Sequence, residues 1–200
     1  MEYSVSTLKT NTIQAATGST VNVASGQVFT APGHILQIQD STLTTQTLGT
    51  VRETYYDFGL KKSFTTLAAN SKFFISAIVH VSAVNSSNNA DWGSHFVVYR
   101  NTGGSAVVAG TLGADTSNNR PRVHTTGTKY YYGDYGVVDK TVETFDSPSL
   151  AAGTTLEYQI RLYHGRTNGS WLINRGYNMS NDATSGGNPC CTLKIMEIAQ

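Results

Sequence analysis

In KFFISAIVHVSAV (residues 72–84) the apolar side chains fall on every second position. Phe73, Ile75, Ala77, Val79, Val81 and Ala83 make one continuous face, and Phe74, Ser76, Ile78, His80, Ser82 and Val84 make a mixed one. Period-two alternation marks a strand, because successive side chains on extended backbone point to opposite faces. TLEYQIRLYHG (155–165) separates more cleanly: Leu156, Tyr158, Ile160 and Leu162 on one side, Glu157, Gln159, Arg161 and Tyr163 on the other. Both read as half-buried antiparallel strands. The same reasoning predicts strands at 34–39, 51–58, 62–68, 94–100, 105–111, 137–146, 171–175 and 191–198. Between them lie stretches of turn chemistry, NSSNNADWG (85–93), NTGG (101–104), DTSNNRPR (115–122) and NDATSGGNP (181–189). Helical periodicity is hard to find anywhere. Many short strands with Gly/Asn/Ser loops predict an all-β fold, a jelly-roll-like antiparallel β-sandwich.

The two ends of the chain behave differently. Residues 1–33 hold only a few separated apolar positions, chiefly Ile13, Val21, Val23, Val28 and Phe29, among small polar residues. That is too little to form a core alone, so the segment is expected to bury itself against another copy, another domain or a larger assembly. Pro32-Gly33 marks the boundary to a sandwich domain over 34–200. At the other end, PCCTLKIMEIAQ alternates on Leu193 and Ile195, after which Met196 and Ile198 flank Glu197. It reads as a buried strand on which the chain stops, tied into a sheet and not frayed.

Composition narrows the function classes. Of 200 residues, 39% are apolar and only 14% charged, against a usual charged share near ~25%. The surface is therefore built from Thr, Ser, Asn, Gln and Gly, residues of strands and turns. A net charge of +1 without a run of Lys or Arg argues against a nucleic-acid partner. No stretch approaches the ~20 apolar residues of a membrane helix. The N-terminus lacks a basic and apolar leader, so synthesis and folding in a cytoplasm are expected. The two cysteines, Cys190 and Cys191, are adjacent, and strand neighbours face opposite ways, which opposes a mutual disulfide. One buried thiol and one on the other face is the expectation.

Catalytic signatures are scarce. The five histidines form no metal-spaced cluster, and His80 shares its face with Ser76 and Ser82. Glu53 and Asp57 would share a strand face but stand roughly 13 Å apart along it. Asp139 and Glu143 are again spaced along one face, while Glu143 and Asp146 fall on opposite faces. There is neither a nucleophile elbow nor a phosphate-binding loop. No enzyme activity, cofactor or metal is expected. Asp115, Asp134 and Asp182 sit in loops whose ligand types a calcium ion accepts, although Asp in turns serves local hydrogen bonding more often.

The most suggestive loop is KYYYGDYG (129–136), which sets Tyr130, Tyr131, Tyr132 and Tyr135 among glycines and Asp134. Tyrosine offers a flat apolar face plus a hydroxyl, suited to stacking on a sugar ring while Asp binds its hydroxyls. Packing over a sandwich edge or into a subunit seam uses the same residues equally well. Trp92, in DWG, poses the same choice.

The sequence LKTNTIQAATGSTVNVASGQVFTAPGHILQIQ, then SFTTLAANSKFFISAIVHVSA, VVYRN, FDSPS, TTLEYQIRLY, WLINR and CTLKIMEIAQ resembles tail-fibre-like proteins of tailed bacteriophages, especially those of marine and cyanobacterial hosts. In that group a short trimer-forming β segment precedes a jelly-roll-like domain, and the chain often closes on a MEI strand. The resemblance implies a homotrimer carried on the virion, made in the host cytoplasm and in contact with other virion proteins. It also implies a short tail fibre that attaches to host cell-surface polysaccharide. A trimeric capsid decoration protein is the alternative, and a glycan depolymerase a third reading.

Overall fold

A computed structural model describes residues 31–51, 53–84, 94–112, 123–125, 137–164, 170–176 and 189–200. It contains ten strands: β1 (Ile35–Leu43), β2 (Thr47–Gly49), β3 (Tyr55–Thr65), β4 (Lys72–Val84), β5 (Ser94–Asn101), β6 (Val107–Val108), β7 (Val138–Asp146), β8 (Thr155–His164), β9 (Ser170–Ile173) and β10 (Cys191–Ile198). No helix occurs among the described residues. The expected all-β class is observed.

The pairing is nested. β5 pairs β6, β4 pairs β7, β3 pairs β8 and β1 pairs β10, all antiparallel. The chain is thus one long hairpin folded back on itself. It is then rolled so that β10 meets β4 in one sheet and β8 meets β5 in the other. The result is two sheets, β1-β10-β4-β7 and β3-β8-β5-β6, with β2 and β9 continuing the first. This is the jelly-roll arrangement, two Greek keys in two layers. It accounts for the terminal strand: β10 lies between β1 and β4, hydrogen-bonded on both sides.

The core lies between the sheets and uses the faces that alternation assigned. Phe73, Ile75, Ala77, Val79 and Val81 of β4 meet Leu156, Tyr158, Ile160 and Leu162 of β8, all buried. Each of the larger aliphatic and phenylalanine side chains among these contributes ~1.5–3 kcal/mol through lost water contact. β3 unites what the sequence reads as two strands. The apparent break holds Gly59 at φ +97, whose N–H donates to Asp57 Oδ1 (2.8 Å). The register jumps there, from Asp57↔Arg161 to Lys61↔Gln159. A bulge absorbs the extra residues and keeps Phe58 and Leu60 in the core.

The first sheet also carries a discontinuity. Along one edge of β4, β10 pairs as far as Ile78, and β9 takes over at Val81. Asn174, buried and at φ +60, fills the gap. Its N–H donates to His80 O (3.0 Å), and its side-chain amide donates to Leu43 O (2.6 Å) and Thr45 O (3.2 Å). Its Oδ1 accepts the Cys191 thiol (3.0 Å). Asn tolerates the left-handed conformation and supplies both donor and acceptor there. Nearby, Trp171 closes the end of the core, packed against the tilted Tyr56 ring (5.0 Å between centres) and donating to Val51 O (3.1 Å). A Cβ on Gly49 would overlap the Trp171 ring. Gly49→Ala is therefore expected to cost about 2 kcal/mol by overpacking, read as a lower urea midpoint.

Candidate functional site

The residues singled out for glycan contact, Trp92, Tyr130, Tyr131, Tyr132, Asp134 and Tyr135, lie outside the described residues. So do Ile13, Val21, Val23, Val28 and Phe29, and the loop acids Asp115 and Asp182. What the structure does place are the two outer faces of the sandwich and two buried polar clusters.

On the sheet β3-β8-β5-β6 the outer face is aromatic and polar, and part of it is covered: Val97, Tyr99 and Val123 form a second buried cluster against which Tyr55, Ala106, Val108 and Leu112 pack, and Gln159 is buried. Register sets Tyr55, Tyr163 and His95 side by side in one row, with Asp57, Arg161 and Val97 in the next. Lys61, Gln159 and Tyr99 follow, then Ser63, Glu157 and Asn101. Tyr55 lies 5.1 Å from Tyr163 and 5.7 Å from Tyr99 between ring centres. The Arg161 guanidinium sits 4.2 Å over the Tyr99 ring. Along β8 the side chains are chained at two-residue spacing. Arg161 Nε donates to Gln159 Oε1 (2.7 Å), and Gln159 Nε2 donates to Glu157 Oε1 (3.2 Å). Glu157 Oε2 accepts from Ser63 Oγ (2.9 Å), and Lys61 pairs with Asp57 (2.8 Å). The polar side of β8 was legible in its alternation. The tyrosine cluster was not, because its members stand at 55, 99 and 163, and only strand order brings them together.

Two histidines, His95 and His124, lie against this sheet with their rings partly buried. His124 Nδ1 accepts the Val98 N–H (3.1 Å) where β6 has ended. Burial holds the pKa values of His124 and His95 below the ordinary imidazole value of 6.5. An unfolded chain binds protons at these sites before the folded one does, so stability falls as pH drops below about 6.5. A melting series is expected to stay level from pH 8 to 7 and decline from pH 6.5 downward, with the decline reduced in His124→Gln.

On the sheet β1-β10-β4-β7 the outer face is apolar at one end. Ile38, Met196, Phe74 and Phe145 form one transverse row across all four strands. Ile38 is 53% and Phe145 52% exposed. Phe74 and Phe145 pack at a tilt with ring centres 5.0 Å apart, and Lys72 Nζ lies 4.5 Å over the Phe145 ring. Ile35 and Ile198 pair beside that row. Further along, polar rows follow (Asp40, Lys194, Ser76, Glu143), and His80 Nδ1 meets Asp139 Oδ1 at 2.6 Å.

The buried carboxylates hold structure together. Asp146, at the end of β7, accepts from Arg100 (2.5 Å), the Tyr158 hydroxyl (2.8 Å) and Gly110 N–H (3.1 Å), linking the two sheets. Burial, together with the Asp146 charge, holds the Tyr158 hydroxyl far above the ordinary tyrosine range, so it remains a donor. Glu197 of β10 accepts from the backbone N–H of Leu67 (2.9 Å) and Ala68 (3.1 Å), from Ser71 Oγ (2.7 Å) and from Gln37 Nε2 (2.5 Å). It clamps the β3–β4 turn to the last strand. Among the described residues no group of three or more His, Cys, Asp or Glu is placed to hold a metal ion. Cys191 is buried, its thiol pKa pushed up to about 11 by burial, and Cys190 is exposed.

No protein-family model and no curated protein matches the chain. Among solved structures it is similar to that of the infectious bursal disease virus Gx strain, at 11% identity and a TM-score of 0.36. The overlap covers 90% of this chain but only 42% of that one. A likeness that loose says nothing about what the chain does.

Proposed function

We propose that the chain is a non-enzymatic structural protein of a virus particle, a homotrimeric short tail fibre of a tailed phage that contributes to attachment at host-surface glycan. The observation that carries this reading is the apolar row Ile38–Met196–Phe74–Phe145, which crosses four strands on the outer face of one sheet with Ile38 and Phe145 exposed. Monomeric soluble proteins seldom leave contiguous large side chains facing water across a whole sheet. A second copy of the chain covers this row, and the apolar residues of the leading segment, Ile13 to Phe29, add burial that one copy cannot supply. Repeated copies also raise weak sugar contacts to useful avidity.

Capsid decoration is the second reading, because the same row would serve equally well to grip a capsid subunit. Quantitative mass spectrometry of purified particles of the encoding virus separates the two. The fibre reading expects the chain in the particle at low copy number, associated with the tail. A copy number matching the capsid lattice favours decoration, and absence from the particle overturns both. Release of reducing ends from host polysaccharide by the purified chain would overturn the non-enzymatic reading.

A further inference from the structure

Along the edge of β5 that faces away from β8, two short pieces of chain lie end to end. Val107 and Val108 pair with Arg100 and Tyr99, and the Ala109 N–H donates to Val98 O (3.0 Å). Residues 123–125 return to the same edge. The His124 N–H donates to Phe96 O (3.0 Å), and Thr125 O accepts the Phe96 N–H (3.1 Å). The Val98 N–H falls where the two pieces meet, and its acceptor is a side chain, His124 Nδ1, at 3.1 Å. The same ring faces the Ala109 carbonyl. One imidazole thus joins β5 to both pieces. Together they form a strap: Ala106, Val108, Leu112 and Val123 cover Val97 and Tyr99 on the outer face of the sheet.

A ring nitrogen accepts a hydrogen bond only while it carries no proton. Protonation of Nδ1 would set one N–H against another and remove the rung at Val98. The charged surroundings are sparse. Asp146 of β7 acts on the ring, and it is itself paired with Arg100 of β5 and takes the Tyr158 hydroxyl of β8. Residues 106–110 bring no ionisable group. His95 and Tyr99 of β5 lie on the other side of that strand, in register with Tyr163 and Gln159. Burial holds the His124 pKa below 6.5, against the smaller opposing effects of the Ala109 carbonyl and the Asp146 charge.

We propose that His124 is an acid-released latch: its neutral ring holds the strap of residues 106–112 and 123–125 on β5, and its imidazolium lets the strap lift and uncover Val97 and Tyr99. The device is independent of the attachment reading. It differs from a general loss of stability in acid, because it opens one part of the sandwich ahead of the rest.

Native-state hydrogen exchange of the full chain in low urea tests it, with rates corrected for the pH dependence of exchange itself. A proton bound only in the open form shifts opening about tenfold between pH 7.5 and 5.5, one unit to either side of 6.5. The amides of Phe96, Val98 and Ala109 are therefore expected to exchange about tenfold faster at pH 5.5. Their rates should ignore urea, since a strap exposes little surface, whereas those of Ile75 and Ile195 in the core should rise with it. His124→Gln, which does not titrate, is expected to remove the pH response of the strap amides, and His95→Gln to leave it. Strap amides that follow the urea dependence of Ile75 and Ile195 overturn the latch, because they would then open only with the whole domain. A pH response that persists in His124→Gln, or that His95→Gln abolishes, overturns it as well.

Discussion

Replacing Glu197 by alanine is expected to lower the stability of the sandwich by about 4 kcal/mol. Glu197 is wholly buried, and its carboxylate is the acceptor for two backbone N–H groups, one serine hydroxyl and one glutamine amide. Each donor stranded without water or partner costs roughly 1–3 kcal/mol. Partial rearrangement of Ser71 and Gln37, and water entering the vacated space, keep the total below the simple sum. A loss of that size is a large part of the ~5–15 kcal/mol that holds a domain together. Glu197→Gln keeps one oxygen as acceptor and loses the other, so about half the effect is expected. Urea denaturation checks this: the midpoint should fall with an unchanged slope, since the surface exposed on unfolding is the same. A change under about 1 kcal/mol for the alanine variant would show that the turn holds itself without the clamp.

Asp146→Ala is expected to cost a similar amount, about 4 kcal/mol, because it leaves a guanidinium and a buried phenol facing an emptied site. Here a second substitution distinguishes lost hydrogen bonds from lost packing. Tyr158 is fully buried with its ring against Phe73 (5.7 Å) and Phe64 (6.3 Å), and among the described residues its hydroxyl meets Asp146 and the Arg100 that pairs with it. Removing that hydroxyl in the Asp146→Ala background takes away a stranded donor, so the Asp146→Ala/Tyr158→Phe variant is expected to be more stable than Asp146→Ala alone. A double-mutant cycle measures the coupling. Strict additivity of the two changes would contradict the pairing.

Much of the layering was legible in residues 72–84 and 155–164, where every second position is apolar and supplies the core-facing side. Strand order was not. Alternation assigns faces, whereas the nested pairing of β1 with β10 and β3 with β8 is fixed by how the inner faces fill one core. β2 went unseen because three residues ending in glycine carry no period, and its place depends on Asn174 and Trp171, more than 120 residues away. Gly59 and its neighbours read as a break because a bulge and a loop look alike in sequence. The last strand did carry a signal. Leu193 and Ile195 set one phase, and Met196 and Ile198 set the other. That slip places Glu197 on the inward face and Met196 on the outward one, so one irregularity marks both the buried carboxylate and the apolar outer row.

The tyrosine face illustrates the opposite case. Tyr55 and Tyr56 are neighbours in sequence, yet Tyr56 packs on Trp171 in the core while Tyr55 joins Tyr163 outside. Only β3–β8 register tells them apart. Local sequence drew attention to four tyrosines in one loop. The gathered aromatics that the structure describes come from three strands.

At the centre of the account is the claim that the row Ile38–Met196–Phe74–Phe145 is covered by another copy of the chain. Sedimentation equilibrium of the full chain tests it most directly. The account predicts a trimeric mass at micromolar concentration, and dissociation when Phe145 is replaced by lysine with the sandwich still folded. A single 21.5 kDa species over the whole concentration range would contradict it.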